Sequence, residues 1–233
     1  MSGVYRYDDI LFRRPQGFHS WRQSDCLSIT SNYMADGSGF ADSRMHYLGS
    51  TGTGRAISDL PLFYYGLGKL WRVIGKKEWT YRLAVLALFM AGLASLFLLL
   101  RNLLHDGFLA TMIVGLLFTS PMVAYYANNF LMNSPALSLV LIAWYFVSRY
   151  VRDQRSSSAI AAIGLFTLAG LLKATAALSL LSVMIICAVH ASPLQKPLLP
   201  DLKLRHRRLI LFAGICGFLS MGLWYTFAHD RCV

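Results

Sequence analysis

The sequence predicts an all-α fold: a polytopic transmembrane helical bundle that follows a polar N-terminal segment with short amphipathic helices. Of its 233 residues, 56% are hydrophobic and 14% charged, whereas soluble domains are about 45–50% apolar and about 25% charged. The apolar residues form long runs separated by short basic connectors, and aromatic and turn-forming residues concentrate before residue 83. We therefore expect residues 1–82 to lie outside the bilayer and residues 83–228 to form the transmembrane part.

Six apolar stretches are candidates for membrane spans, because a span needs about 20 mostly apolar residues. The run 159–190 contains 32 residues and one charge, Lys173. As one helix it would be about 48 Å long, against a hydrocarbon core of about 30 Å. We favour two short spans that meet at Lys173 over one tilted helix with a charge at mid-bilayer. The predicted spans are 83–100, 108–127, 130–148, 159–172, 174–190 and 209–228.

The basic residues of the connectors predict which way the spans run. The connectors 101–107, 149–158 and 191–208 together contain nine Lys and Arg, whereas the connectors at the other end contain only Lys173. Short cytoplasmic loops are enriched in Lys and Arg. We expect the basic connectors to be cytoplasmic and residues 1–82 extracytoplasmic. No stretch before residue 82 is apolar enough to span the membrane. Either the first span exports its own N-terminus, or a preceding span is missing; we favour the second.

The net charge of +11 does not indicate a nucleic-acid partner. Nucleic-acid binding requires an exposed basic face, and here many basic residues flank predicted spans, where orientation and anionic lipid explain them. The four cysteines show no CxxC or metal-ligand spacing, so no disulfide framework is predicted.

Two helices are predicted within the N-terminal segment. Ser24–Met34 has the composition of a short helix, and Leu62–Ile74 has apolar residues at helical spacing. Tyr64, Tyr65 and Trp71 are aromatic residues of the kind that anchor a helix at a membrane interface. We therefore expect Leu62–Ile74 to lie on the outer membrane surface.

Five short motifs, taken in their order and spacing, resemble the bacterial family 39-type glycosyltransferases of the GT-C fold, which include protein mannosyltransferases and the aminoarabinose transferase of lipid A. The motifs are His19-Ser20-Trp21-Arg22-Gln23-Ser24-Asp25, Asp59-Leu60-Pro61, Thr119-Ser120-Pro121, Tyr125-Tyr126-Ala127-Asn128-Asn129-Phe130 and Leu171-Leu172-Lys173. The resemblance spans residues 17–190. It implies an inverting hexosyl- or pentosyltransferase in the bacterial inner membrane. Its donor would be a polyprenyl-phosphate-linked sugar, and its acceptor a lipid, glycan or protein at the outer face.

The resemblance assigns catalytic roles to two acids. Asp25 matches the first-loop acid of the family and would be the general base for the acceptor hydroxyl; the alternative is a solvated or helix-capping acid. Asp59 would orient substrate or bind a divalent metal ion, the only cofactor suggested. Its equally weighted alternative is an N-cap for the helix that begins near Pro61.

The remaining candidates would bind substrate. Arg22 and Lys173 are candidates for the lipid phosphate, although Lys173 would also be explained by snorkelling to headgroups. His19, Trp21 and Gln23 belong to the loop motif and would line the sugar pocket; the alternative is that they pack as an aromatic loop. Tyr125 and Asn129 lie at the outer span end and are better explained as interface anchors.

Two departures from the family pattern favour an N-terminal fragment. Met132-Asn133 stands where family members often carry Pro followed by an acid, and the chain is about half the family's usual length. A catalytically inactive remnant or membrane scaffold is therefore the alternative function. A small transporter is a weaker one, because the sequence shows no internal repeat.

Overall fold

The computed structural model describes residues 21–35, 60–75, 77–127, 131–191 and 206–232. Within these ranges all regular secondary structure is helical, which confirms the predicted all-α fold. The helices are α1 Trp21–Ala35, α2 Leu62–Ile74, α3 Glu78–Leu104, α4 Gly107–Thr119, α5 Pro121–Ala127, α6 Asn133–Asp153, α7 Ser156–Leu172, a 3-10 turn Ala174–Ala176, α8 Ala177–Ala191 and α9 Arg207–Cys232.

Several helices are suited to crossing a membrane. By length and composition, α3, α6 and residues Arg208–Phe227 of α9 are each long and apolar enough, and the bent pair α4–α5 qualifies if it counts as one span. Helices α7 and α8 are apolar but shorter, about 26 Å and about 22 Å long. The chain is thus a polytopic helical membrane protein, while the crossing of α7 and α8 stays a prediction.

The apolar run 108–127 is bent and is not the continuous helix that its composition suggested. Helices α4 and α5 meet at an angle of 72°. The bend lies at Ser120, whose ψ of 120° is not helical, because the ring of the following Pro121 disfavours helical geometry at the residue before it. Proline itself is well suited to the first position of the next helix.

Two large buried clusters hold the bundle together. In the first core, α1 and α2 pack against the beginnings of α3 and α6 and the end of α7, so these helix ends lie together. The second core joins α6, α7, α8 and α9 and extends from the basic connectors to Met221, which lies beside Gly170. Members of the first core include Ile29, Trp71, Tyr81, Ala136 and Leu172, and members of the second include Tyr150, Ala159, Cys187 and Ile210.

Two aromatic residues of α2 are buried in the protein, so their predicted role as membrane-interface anchors is wrong. Trp71 is 1% exposed, and its indole nitrogen donates a 2.8 Å hydrogen bond to the Thr80 hydroxyl. Tyr64 is 3% exposed, with its hydroxyl 3.2 Å from the Cys26 sulfur. Tyr65 is half-buried, edge-on to another ring. The stripe that contains Tyr64 and Trp71 is covered by α1 and by the beginning of α3, whereas Leu62, Leu70, Val73 and Ile74 of the same helix are exposed.

Candidate active site at the Lys173 helix break

The helical run 156–191 is interrupted at Lys173. Helix α7 ends at Leu172, and Lys173 has extended backbone angles (φ −152°, ψ 113°) before the 3-10 turn leads into α8. The Lys173 amide donates to the Ala169 carbonyl, and its own carbonyl accepts from the Ala176 amide, both at 2.8 Å. The side chain is half-buried. A lone lysine therefore stands at a helix break whose backbone is hydrogen-bonded.

Two residues that are distant in the chain donate hydrogen bonds to carbonyl groups at the end of α7 that have no partner within the helix. The Gly170 carbonyl accepts from the Tyr225 hydroxyl, and the Leu171 carbonyl accepts from the Leu60 amide, each at 2.8 Å. The last four carbonyls of a helix have no partner within it, and an unsatisfied carbonyl in lipid costs several kcal/mol. These bonds hold the Lys173 end of α7 against α9 and the residues that lead into α2.

Helix α1 packs on α2 through matching stripes. In each helix the buried residues are spaced i, i+3, i+4 and i+7, the pattern of one helix face. The two backbones approach closely at Gly68, where a Cβ would stand 2.7 Å from the Tyr33 Cβ and 2.8 Å from the Thr30 carbonyl oxygen. The stripes are Cys26, Ile29, Thr30 and Tyr33 in α1, and Tyr64, Leu67, Gly68 and Trp71 in α2.

The candidates of the first motif are only partly described. Trp21, Arg22, Gln23 and Asp25 belong to the first turns of α1, where the structure describes the backbone and not these side chains. His19, Asp59 and Asn129 lie outside the described residues. Leu60, which follows Asp59 in the chain, is buried and bonded to Leu171.

Tyr125 lies on the short helix α5 beyond the bend. It is 54% exposed, and its ring is edge-on to Tyr126 with centroids 5.4 Å apart. Exposed aromatic rings at a helix end are typical of the membrane interface. Its binding role stays a prediction.

The two residues that donate hydrogen bonds to the backbone carbonyls at the helix break were not predicted from the sequence. Leu60 was noted only as the middle residue of the Asp59-Leu60-Pro61 motif, and Tyr225 was not a candidate. A signal for Tyr225 was present, since a hydroxyl in an apolar span must find an acceptor within the protein. No comparable signal marks Leu60, because any residue except proline can donate a backbone bond.

The metal hypothesis depends on a residue that the structure does not describe. Within the described ranges, no group of three or more His, Cys, Asp or Glu side chains gathers to hold an ion. Asp59, the predicted ligand, lies outside them. A divalent metal ion therefore stays a prediction.

The bundle, with its N-terminal helices packed at the end where Lys173 interrupts the helical run, defines an all-α polytopic membrane protein. The family model described as dolichyl-phosphate-mannose-protein mannosyltransferase matches residues 59–224, more than two thirds of the sequence, and the chain belongs to that family. The match confirms the resemblance read from the motifs. It includes Asp59 and Lys173, whereas residues 19–25 precede it. No curated protein and no solved structure matches the chain.

Proposed function

We propose that the protein transfers a sugar from a polyprenyl-phosphate-linked donor to an acceptor at the extracytoplasmic face of a bacterial inner membrane. Membership of a family of membrane-bound GT-C-type glycosyltransferases supports the reaction class and the lipid-linked donor. The proposed site rests on the hydrogen bond from the Leu60 amide to the Leu171 carbonyl. This bond holds the residue that follows Asp59 against the helix end that immediately precedes Lys173.

Lys173 is suited to bind the donor phosphate. Helix α7 extends about 26 Å from the basic connector to Lys173, close to the thickness of the hydrocarbon core. Lys173 therefore lies near the opposite headgroup region, where the phosphate of a polyprenyl lipid emerges from the bilayer. A cation near low-dielectric surroundings stabilises a phosphate more strongly than it would in water. Arg22 would add a second cation from the first turn of α1.

The proposed reaction is a single displacement at the anomeric carbon of the sugar. Asp25 takes the proton from the acceptor hydroxyl as its oxygen forms a bond to that carbon. The bond from the carbon to the phosphate oxygen breaks on the opposite face, and polyprenyl phosphate leaves with the electron pair, stabilised by Lys173 and Arg22. Attack opposite the leaving group inverts the anomeric configuration. Asp59 would orient the acceptor or bind a metal ion.

The other substrate-binding candidates follow from their positions in the same motifs. His19, Trp21 and Gln23 immediately precede Asp25 and would contact the sugar ring. Asn129 and Tyr125 follow the α4–α5 bend, and they would contact the acceptor or the lipid headgroups. The alternative, a catalytically inactive membrane scaffold, predicts a folded bundle that binds no lipid phosphate at this turn.

Binding of undecaprenyl phosphate to the purified protein in nanodiscs tests the phosphate site without knowledge of the acceptor. We expect Lys173→Ala to weaken binding by about tenfold or more and Lys173→Arg to retain most of it, because the positive charge is kept. Arg101→Ala is the matched control, since Arg101 is an exposed residue at the basic end of α3. Equal affinities of the wild type, Lys173→Ala and Arg101→Ala would contradict the proposed site.

A further inference from the structure

An apolar cavity of about 180 Å³ lies within the second core, between α6, α7, α8 and α9. Its walls include Tyr150, Ala162, Val183 and Ile210. Two further lining residues, Val151 and Ile186, are 40% and 36% exposed, so the cavity reaches the surface of the bundle. Apolar cavities of about 150 Å³ stay dry and bind apolar molecules. An apolar ligand, rather than water, is therefore suited to fill it.

The depth of the cavity places it among the acyl chains of one leaflet. Its lining residues Ala159 and Ile163 follow Arg155 by four and eight positions, or about 6 Å and about 12 Å along the helix. Half of the hydrocarbon core is about 15 Å thick. Lys173 lies about 27 Å from Arg155 on the same scale. The cavity is therefore separate from the candidate active site.

The helix ends beside this cavity are basic. Arg149 and Arg152 share one acid, Asp153, at 3.5 Å and 3.0 Å. Arg155 and Arg208 are exposed, and among the described residues neither has a carboxylate within 4.0 Å. A guanidinium group binds phosphate through paired, charge-assisted hydrogen bonds. The end of the bundle that contains the apolar cavity thus complements an anionic headgroup.

We propose that this cavity binds one acyl chain of an anionic phospholipid, whose phosphate is held by Arg155 and Arg208. The acyl chain explains the apolar walls and their depth, and the charge complementarity explains why the lipid would be anionic. A bound chain would touch α6, α7, α8 and α9 together and would stabilise their packing. A zwitterionic lipid offers the same acyl chain without net negative charge, so it would bind more weakly.

Native mass spectrometry of the delipidated full chain in detergent tests this proposal with two probes, phosphatidylglycerol and phosphatidylcholine that have identical acyl chains. We expect the wild type to bind one phosphatidylglycerol molecule about tenfold more tightly than phosphatidylcholine. The double variant Arg155→Gln, Arg208→Gln should bind the two lipids about equally. Equal affinity of the wild type for both lipids would contradict the proposal.

Cavity-filling variants test the location. Ala162→Phe places a ring in the cavity and should lower the affinity for phosphatidylglycerol by about tenfold or more. Ile160→Phe is the control, because Ile160 lies on the same helix with 52% of its surface exposed. If Ala162→Phe does not fold, Val183→Phe tests the same cavity from α8. Unchanged affinity in a folded cavity-filling variant would overturn the assignment.

Discussion

The hydroxyl group of Tyr225 donates a 2.8 Å hydrogen bond to the carbonyl oxygen of Gly170, 55 residues earlier in the chain. The bond joins the last described helix, α9, to the final turn of α7, immediately before the Lys173 break. The side chain of Met221 on α9 also reaches this turn, since a Cβ at Gly170 would stand 2.6 Å from its Cε. The position of Lys173 therefore depends on α9 as well as on α7.

Replacing Tyr225 by Phe removes this donor and leaves one helix-end carbonyl without its side-chain partner. We expect a loss of about 1–2 kcal/mol in the free energy of unfolding, measured by thermal or denaturant unfolding in detergent. Tyr145→Phe is the matched control, because Tyr145 is half-buried and no hydrogen bond of its hydroxyl is found within the described residues. Equal stability of the two variants would show that the bond contributes little.

Two glycines on α2 allow a second prediction with an internal control. Gly68→Ala should separate α1 from α2, because its Cβ would overlap the backbone and side chain of α1; such overpacking costs about 1–3 kcal/mol. Gly66 has no atom within 4 Å of an added Cβ, so Gly66→Ala should be neutral or stabilise the helix by up to about 1 kcal/mol. Amide hydrogen exchange of residues 21–35 should accelerate only in Gly68→Ala. Equal exchange in both variants would contradict the described packing.

Reporter fusions test the predicted orientation of the spans. A reporter joined after Arg155 should report the cytoplasm, and one joined after Asn129 should report the outside, because the basic connectors favour the cytoplasmic side. A third fusion after Lys173 should also report the outside if α7 and α8 both cross. If the first two reporters lie on the same side, the number of crossings is wrong.

The sequence was most informative where a local pattern determines the structure. The apolar spacing predicted a helix over Leu62–Ile74, and the helix has those bounds. A backbone break occurs at Lys173, where a charge divides an apolar run. The bend at Ser120 was not predicted, because the span was inferred from apolar composition alone. The conformational restriction that Pro121 imposes on the preceding residue was not considered.

The sequence pattern could not predict contacts between segments that are distant in the chain. The amphipathic stripe of α2 does not show whether lipid or another helix covers it, and the burial of Trp71 beneath its neighbours is a tertiary effect. The bond from Leu60 to Leu171 uses only backbone atoms, so side-chain chemistry gives no hint of it. The roles of Asp25 and Asp59 follow from the family resemblance and that of Lys173 also from its place in an apolar run, and all three stay predictions.

We propose that this bundle catalyses sugar transfer and that Asp25 is the general base. The most direct measurement is the initial rate of transfer from mannosyl-phosphoryl-undecaprenol, in inner-membrane vesicles that contain the cell's own lipid, glycan and protein acceptors, by the wild type and Asp25→Asn expressed at equal levels. We expect turnover by the wild type and a decrease of about 10²–10⁴-fold in Asp25→Asn, with undecaprenyl phosphate binding unchanged. Equal rates in both proteins, or a folded wild type that binds the donor and never transfers its sugar, would contradict the claim.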